Sequence, residues 1–361
     1  MRRKSLISPF AIFSIALFLI TELLVFFAGC SFAVANFLND GICQYFRRAM
    51  AWLGGLVPIS LYEVIMLSLP AVIVLVVILA VRRFVLGEGR VRFILNLAAV
   101  VLVLLAGDNF ALGIGYHTTP IDSKMGLSSV EVTEDRLAEI MISLRDEINS
   151  LSEEIAYTEN GVSDPEMTFR EMSDLAVESY GKVYESYGFS NNFYSYAKRV
   201  HFGNLMSYLG ITGIYTYYTG DANVNSAYPD YDIAFTIAHE LAHQRGVLRE
   251  NEANFMAYLV TSSSDNPYLR YAGALNMYQY IGSALYRTNK ELYGQIHSQL
   301  CEGAYRDVLA SYAVSEKYGD TFIADISNYI NDLFLKSNGT AGVVTYGRVV
   351  TLTVAYFEAN K

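Results

Sequence analysis

Three long runs of apolar positions, Pro9 to Leu38, Leu56 to Val81 and Phe93 to about Gly107, crowd the first third of the chain. The first two exceed the ~20 residues that cross a bilayer as helix, and the third reaches that length by continuing past Asp108 and Asn109 into Ala111 to Ile114. Three membrane spans are therefore expected. Beyond them the periodicity changes. A polar stretch from His117 to about Ser129 reads as a tether. Leu137, Ile140, Met141, Leu144, Ile148, Leu151 and Ile155 then recur at steps of three and four, which predicts an amphipathic helix over 133–156. Asp164-Pro165, an N-cap residue followed by proline, announces a second helix that Gly188 ends. Gly213 to Tyr218 is aromatic and β-branched, closes at Gly220-Asp221 and reads as a strand. From Tyr231 the helical period returns, with breaks near Gly246, Asn266-Pro267 and Asn338-Gly339. Val343 to Phe357 is apolar but too short for a fourth span, so it reads as a buried core element. The expected organisation is a membrane domain over 1–115, a tether over 116–130 and a water-soluble domain over 131–361, mainly α with a small sheet.

Charge sharpens this division. Up to Gly115 there are nine basic and five acidic residues, leaving 17 basic and 31 acidic for the remainder, and only Tyr45 and Tyr62 of 28 tyrosines precede Tyr116. An acidic, tyrosine-rich body of this kind excludes nucleic acid as a partner, since phosphate binding needs a basic surface. Arg2, Arg3 and Lys4 precede the first span, and Arg82, Arg83, Arg90 and Arg92 fill the turn after the second, against Arg47 and Arg48 in the first loop. This bias places the amino terminus inside the cell and the acidic domain outside it. A cleaved lipoprotein signal ending at Cys30 is the competing reading, which Phe27 at the third position before the cysteine fits badly. Glu22 and Glu63 inside spans read as helix-end or bundle-interior carboxyls. Cys30, Cys43 and Cys301 lie too far apart for a metal knuckle or a redox pair, and three free thiols are expected.

The chemistry concentrates in His239-Glu240-Leu241-Ala242-His243. Residues four apart share a helix face, so two imidazoles can grip one zinc ion while Glu240 points beside it. The segment Ala234 to Ala238 before the motif is apolar, but Gln244, Arg245 and Arg249 follow at once, which is too short and polar for an intramembrane helix, so the site belongs to the outer domain. A catalytic zinc wants a third protein ligand and an open position. After Gly246 a new helix opens at Glu250-Asn251-Glu252, where Glu250 and Glu252 diverge by about 200° and cannot both face the metal. Glu252 shares its side with Phe255, Met256 and Leu259 and is the expected ligand over Glu250. His117, His201 and His297 have no partner at ligand spacing. Tyr258, Tyr271 and Tyr346 could each donate a hydrogen bond to a developing oxyanion. The strand carrying Tyr215 and Tyr217, with Asn223 just after it, would flank the cleft and pair with an extended peptide.

These residues carry a resemblance. Gly213-Ile214-Tyr215 with Ala222-Asn223-Val224-Asn225, the block from Ala238 to Gly246, Glu252-Ala253-Asn254-Phe255, Arg270-Tyr271, Asn331-Asp332, Leu335-Lys336 and Tyr346-Gly347 resemble an uncharacterised family of bacterial membrane proteins, the domain of unknown function DUF3810. The resemblance implies a zincin-like α+β outer domain with Glu252 as a zinc ligand, similar to peptidases that carry a Glu-Ala-Asn helix after HExxH. It implies no substrate. Arg249 stands where metzincins have their third histidine.

The expectation is a membrane-anchored zinc peptidase acting on extracytoplasmic peptides or proteins, with Glu240 taking a proton from the attacking water and passing it to the leaving amine. A non-catalytic receptor or scaffold with a structural metal, and an amidase of cell-wall peptides, are the alternatives.

Overall fold

The computed structural model describes residues 6–87, 89–190, 192–319, 322–340 and 348–361. Arg2, Arg3 and Lys4 lie outside them, as does Tyr346. Helix α1 (Pro9–Cys30) begins on Ser8, whose hydroxyl accepts from the Ala11 amide, and satisfies one of the amides a helix start leaves open. It ends at Cys30 rather than Leu38, because Ser31 is extended. In the residues that follow, Ala35, Leu38, Asn39 and Cys43 turn to protein while Phe32, Val34, Phe37 and Ile42 stay exposed. The short α2 (Phe32–Asn36) and a π-helical turn lead into α3 (Gln44–Gly55). There Arg47 is fully buried and donates to the carbonyls of Ala111 and Asn39 at 3.0 and 2.9 Å.

Helices α4 (Leu61–Leu86) and α5 (Arg90–Ala111) complete the apolar set. As expected, α5 runs on past Asp108 and Asn109. Three helices, Pro9–Cys30, Leu61–Leu86 and Arg90–His117, are long and apolar enough to cross a membrane. Their outward faces carry leucine, isoleucine, valine and phenylalanine side chains with no protein cover. α1 and α5 approach through small residues, Ala11, Ser14, Thr21 and Ala28 meeting Ala99 and Ala106. This is how helices pack where lipid supplies no hydrophobic drive. Glu22 accepts from Asn109 at 2.8 Å across this pair.

The expected tether is instead a packed connection. A 3-10 turn over Gly113–His117 and α6 (Ile121–Met125) bury Ile114, Tyr116, Thr118 and Ile121. Then come α7 (Glu134–Leu151), a hairpin of β1 (Ala156–Tyr157) and β2 (Ser163–Asp164), and α8 (Phe169–Tyr187). α8 starts later than Asp164-Pro165 suggests. Thr168 and Glu171 form a capping box that satisfies two amides reciprocally, whereas Asp164 pairs in the hairpin. Gly188 ends it at φ 68°.

A three-stranded sheet follows, β3 (Ala197–Val200), β4 (Gly213–Thr216) and β5 (Asp221–Asn225), with α9 (Gly203–Tyr208) between the first two. β5 is central, parallel to β3 and antiparallel to β4, with Tyr215 opposite Ala222. β4 is therefore a free edge. Helices α10 (Asp230–Gln244), α11 (Glu250–Ser262), α12 (Pro267–Thr288), α13 (Lys290–His297), α14 (Glu302–Gly319), α15 (Phe322–Ser337) and α16 (Val349–Ala359) complete a chain that is 73% helical. α7, α8, α10, α11, α12 and α16 enclose the main core. Val349, Val354 and Ala355 are buried there, as the apolar tail suggests.

The sheet is bolted to the apolar helices by buried polar contacts. Lys198 and Asp221 pair at 2.7 Å, each side chain 2% exposed. Lys198 also donates to the Gly54 carbonyl at 2.8 Å, and Asp221 accepts from the Leu61 amide at 3.2 Å. Ser60 donates to Asn223 at 2.7 Å, and Glu63 accepts from the Phe202 amide at 2.7 Å. Gly220, at φ 74°, lies against the Met50 backbone so closely that a Cβ there would overlap it.

Candidate metal centre and its cleft

α10 lies between β5 and β4 on one side and α11 and α12 on the other. Its last two turns carry His239 and His243 on one face, with their Nε2 atoms 3.0 Å apart. The helix stops because Gly246 turns the chain at φ 90°. Gln244 donates to the Gly220 carbonyl at 2.7 Å and accepts from Ser195 at 2.5 Å. Arg245, also buried, donates to Leu241 and Phe193 carbonyls and lies over the Tyr180 ring at 4.4 Å. These contacts explain the Gln-Arg-Gly that follows the motif: they hold the end of α10 in one position.

The turn returns the chain so that α11 begins on Glu250. Its carboxylate oxygens stand 3.4 Å from His239 Nε2 and 3.7 Å from His243 Nε2. Glu252 is turned away. It accepts from Arg249 at 2.7 Å and from the Ile121 amide at 3.2 Å, and so clamps the connection from α5. The choice of Glu252 as third ligand is overturned, and Glu250 takes that position. The face argument fails because α11 is buried from Asn251 to Thr261 on all sides. Burial therefore cannot mark the side that faces α10, and the turn at Gly246 decides it.

His239, His243 and Glu250 offer one ligand atom each within 4.8 Å of one another. Ligands about 2.1 Å from a tetrahedral zinc stand about 3.4 Å apart, and the three separations bracket that value. His243 Nδ1 is 2.8 Å from the Val247 carbonyl. That oxygen only accepts, so Nδ1 carries a proton and Nε2 is the nitrogen that faces the cluster. Burial alone would lower the His243 imidazole, but the neighbouring Glu250 carboxylate outweighs it and pushes the group up to about 9. Burial alone would raise Glu250, and the two imidazoles instead hold it well below the usual carboxylate range. The negative end of α10 adds to this preference for a positive charge. The set fits a divalent cation.

Glu240 is buried beside the cluster with Oε2 lacking any hydrogen-bond partner. Burial raises its carboxyl, against the opposing pull of His239 and His243 and of the Tyr215 backbone amide. β4 passes directly over it. A Cβ on Gly213 would meet Glu240 Cγ at 2.7 Å and Thr236 Cγ2 at 2.6 Å. Gly213→Ala should therefore cost about 1–3 kcal/mol of stability as overpacking, read as a lower thermal midpoint of the full-length chain.

The cluster opens into a cleft of about 730 Å³ that runs along β4 and between α10, α12, α14 and α15 to the end of α5, where Asp108, Leu112 and Tyr116 line it. Several expected residues stand elsewhere. Tyr271 is fully buried and donates to Asp307 at 2.6 Å, away from this cleft. Asn223 is in the central strand and bonds Ser60 and the Ile214 carbonyl, so it is closed to a peptide. Tyr217 lines the cleft, but its hydroxyl is spent on the Leu104 carbonyl at 2.5 Å. Tyr215 lines it with a buried hydroxyl. Tyr258 is buried in the core beside Tyr356 and Phe357. Two residues that sequence reading passed over do line it, Asp232 and Tyr280. Asp232 has a legible signal, since it lies seven positions before His239 on the same helical face. Tyr280 has none among so many tyrosines. The three cysteines are free thiols.

A family model described as "Protein of unknown function (DUF3810)" matches residues 38–354. No curated protein and no solved structure matches the chain.

Proposed function

We propose that this chain, which belongs to the DUF3810 family of proteins of unknown function, is a membrane-anchored metallopeptidase with a zincin-like outer domain. The observation that carries the reading is the convergence of His239, His243 and Glu250 beside an unpartnered Glu240, inside a cleft edged by a free strand. A zinc ion held by those three residues would supply Lewis-acid polarisation of a peptide carbonyl and make a water acidic near neutral pH.

The chain's own residues do the rest. Glu240, desolvated and with Oε2 free of any hydrogen-bond partner, accepts the proton of the attacking water and delivers it to the leaving amine. β4 offers its unpaired edge to an extended peptide, and main-chain bonds there would align the scissile bond above Glu240. Val247 holds His243 in the tautomer that presents Nε2. The basic bias of the amino terminus and the turn before α5 supports an orientation with this domain outside the cytoplasm. A structural metal is closed by a fourth side chain. Among the described residues the cluster has three ligands and faces the cleft, which favours catalysis over a scaffold role.

The test is metal analysis of the full-length chain in detergent. About one zinc per chain is expected, with chelator removing both metal and hydrolysis of a fluorogenic peptide pool. Glu250→Ala should weaken zinc binding by more than about 100-fold, while Glu252→Ala keeps the metal. A chain that binds no zinc ends the proposal.

A further inference from the structure

Asp232, Thr236, His239 and His243 follow one another at steps of four, three and four, so they share a face of α10 and all line the cleft. Asp232 lies about 10 Å before His239 along the helix axis. That is about three residues of extended peptide. Its Oδ2 is buried and makes no hydrogen bond, and among the described residues no lysine or arginine pairs with it. Among the described residues the cleft as a whole is lined by the acidic Asp108, Asp232, Glu240 and Glu250 and by no lysine or arginine. Glu240 and Glu250 belong to the metal centre, and Asp108 sits at the end of α5. Asp232 is a carboxylate without a task in the chemistry already described.

We propose that Asp232 is a specificity-determining residue that binds a cationic group of the substrate, an ammonium or guanidinium, about three residues from the bond that is cut. This rests on the peptidase reading and names its substrate class. Burial pushes the Asp232 carboxyl up to about 7, with Ser311, Tyr231 and Asn276 favouring its ionised form. A buried carboxylate that lacks a counter-ion gains most from one delivered by a ligand, because desolvation strengthens the charge-assisted hydrogen bond. The cation has two sources, a free amino terminus or a lysine or arginine side chain.

The experiment uses the zinc-loaded full-length chain and a set of fluorogenic peptides. These carry lysine, norleucine or glutamate at each position around the cleavage point, each with a free or an acetylated amino terminus. At one position the cationic peptide should have a kcat/KM about 10- to 100-fold higher, carried by KM. Loss of that preference on acetylation identifies the amino terminus, and its survival identifies the side chain. Asp232→Asn should erase the preference and Asp232→Lys should invert it toward glutamate, with zinc content and thermal midpoint reporting that the variants fold. Equal rates for lysine and norleucine peptides in the unsubstituted chain, or a preference that Asp232→Asn leaves intact, overturn the proposal. If no peptide is cleaved, the peptidase reading fails by itself. Fluorescence anisotropy of the same peptides then decides the cation site, tenfold tighter and Asp232-dependent binding supporting it and charge-blind binding ending it.

Discussion

Glu240→Gln is expected to lower hydrolysis of a fluorogenic peptide pool by about 10²- to 10⁴-fold while the purified chain keeps about one zinc. Glutamine has the shape of glutamate, which matters where Gly213 and Thr236 press on the side chain. It loses only the capacity to take up a proton. His239, His243 and Glu250 keep their mutual distances in this variant, since none of them depends on a hydrogen bond from Glu240. The outcome therefore separates proton transfer from metal retention, which a histidine substitution cannot do. Turnover within a few-fold of the unsubstituted chain would remove Glu240 from the mechanism. Loss of zinc along with activity would mean that Glu240 supports the site rather than acting in it.

The second large effect concerns stability. Lys198→Met or Asp221→Leu alone should each destabilise the protein by about 3–5 kcal/mol, because either leaves one fully buried charge without its counter-ion. For a domain of this size that is a fall in thermal midpoint of roughly 10 °C. The double substitution should recover much of the loss, since replacing both members of a buried pair by apolar groups of similar volume is often close to neutral. The recovery will be incomplete if the Leu61 amide and Gly54 carbonyl, which bond Asp221 and Lys198, find no water. Thermal scans of the four proteins in one detergent give the coupling directly. Additive losses would mean that Lys198 and Asp221 do not depend on each other for their burial.

The face shared by His239 and His243 was legible because a helix repeats every 3.6 residues, so the two had to share a side whatever surrounded them. The breaks at Gly246 and Asn266-Pro267 were legible for similar local reasons. The third member of the cluster depended on a tertiary quantity, the direction in which the Gly246 turn delivers Glu250. No periodicity within α11 encodes that, as the helix is enclosed all round. β3 was missed because Lys198 breaks its apolar pattern, and only the partner on β5 makes a buried lysine tolerable there. Likewise Phe32 to Leu38 looked like more of the first span, since composition does not reveal that the backbone turns extended at Ser31 and breaks the helix there.

The bolts between sheet and apolar helices bear on how the molecule can be handled and altered. Asp221, Lys198 and Asn223 each find a partner on the stretch from Gly54 to Leu61, and α10 rests on the strands that carry them. Severing the chain after α5 to free the remainder would strip those partners away and leave ions and amides bare beneath the helix that carries His239 and His243. The hydrophobic helices are thus a buttress and not a leash, and any secretion-friendly version of this protein would first need that underside rebuilt.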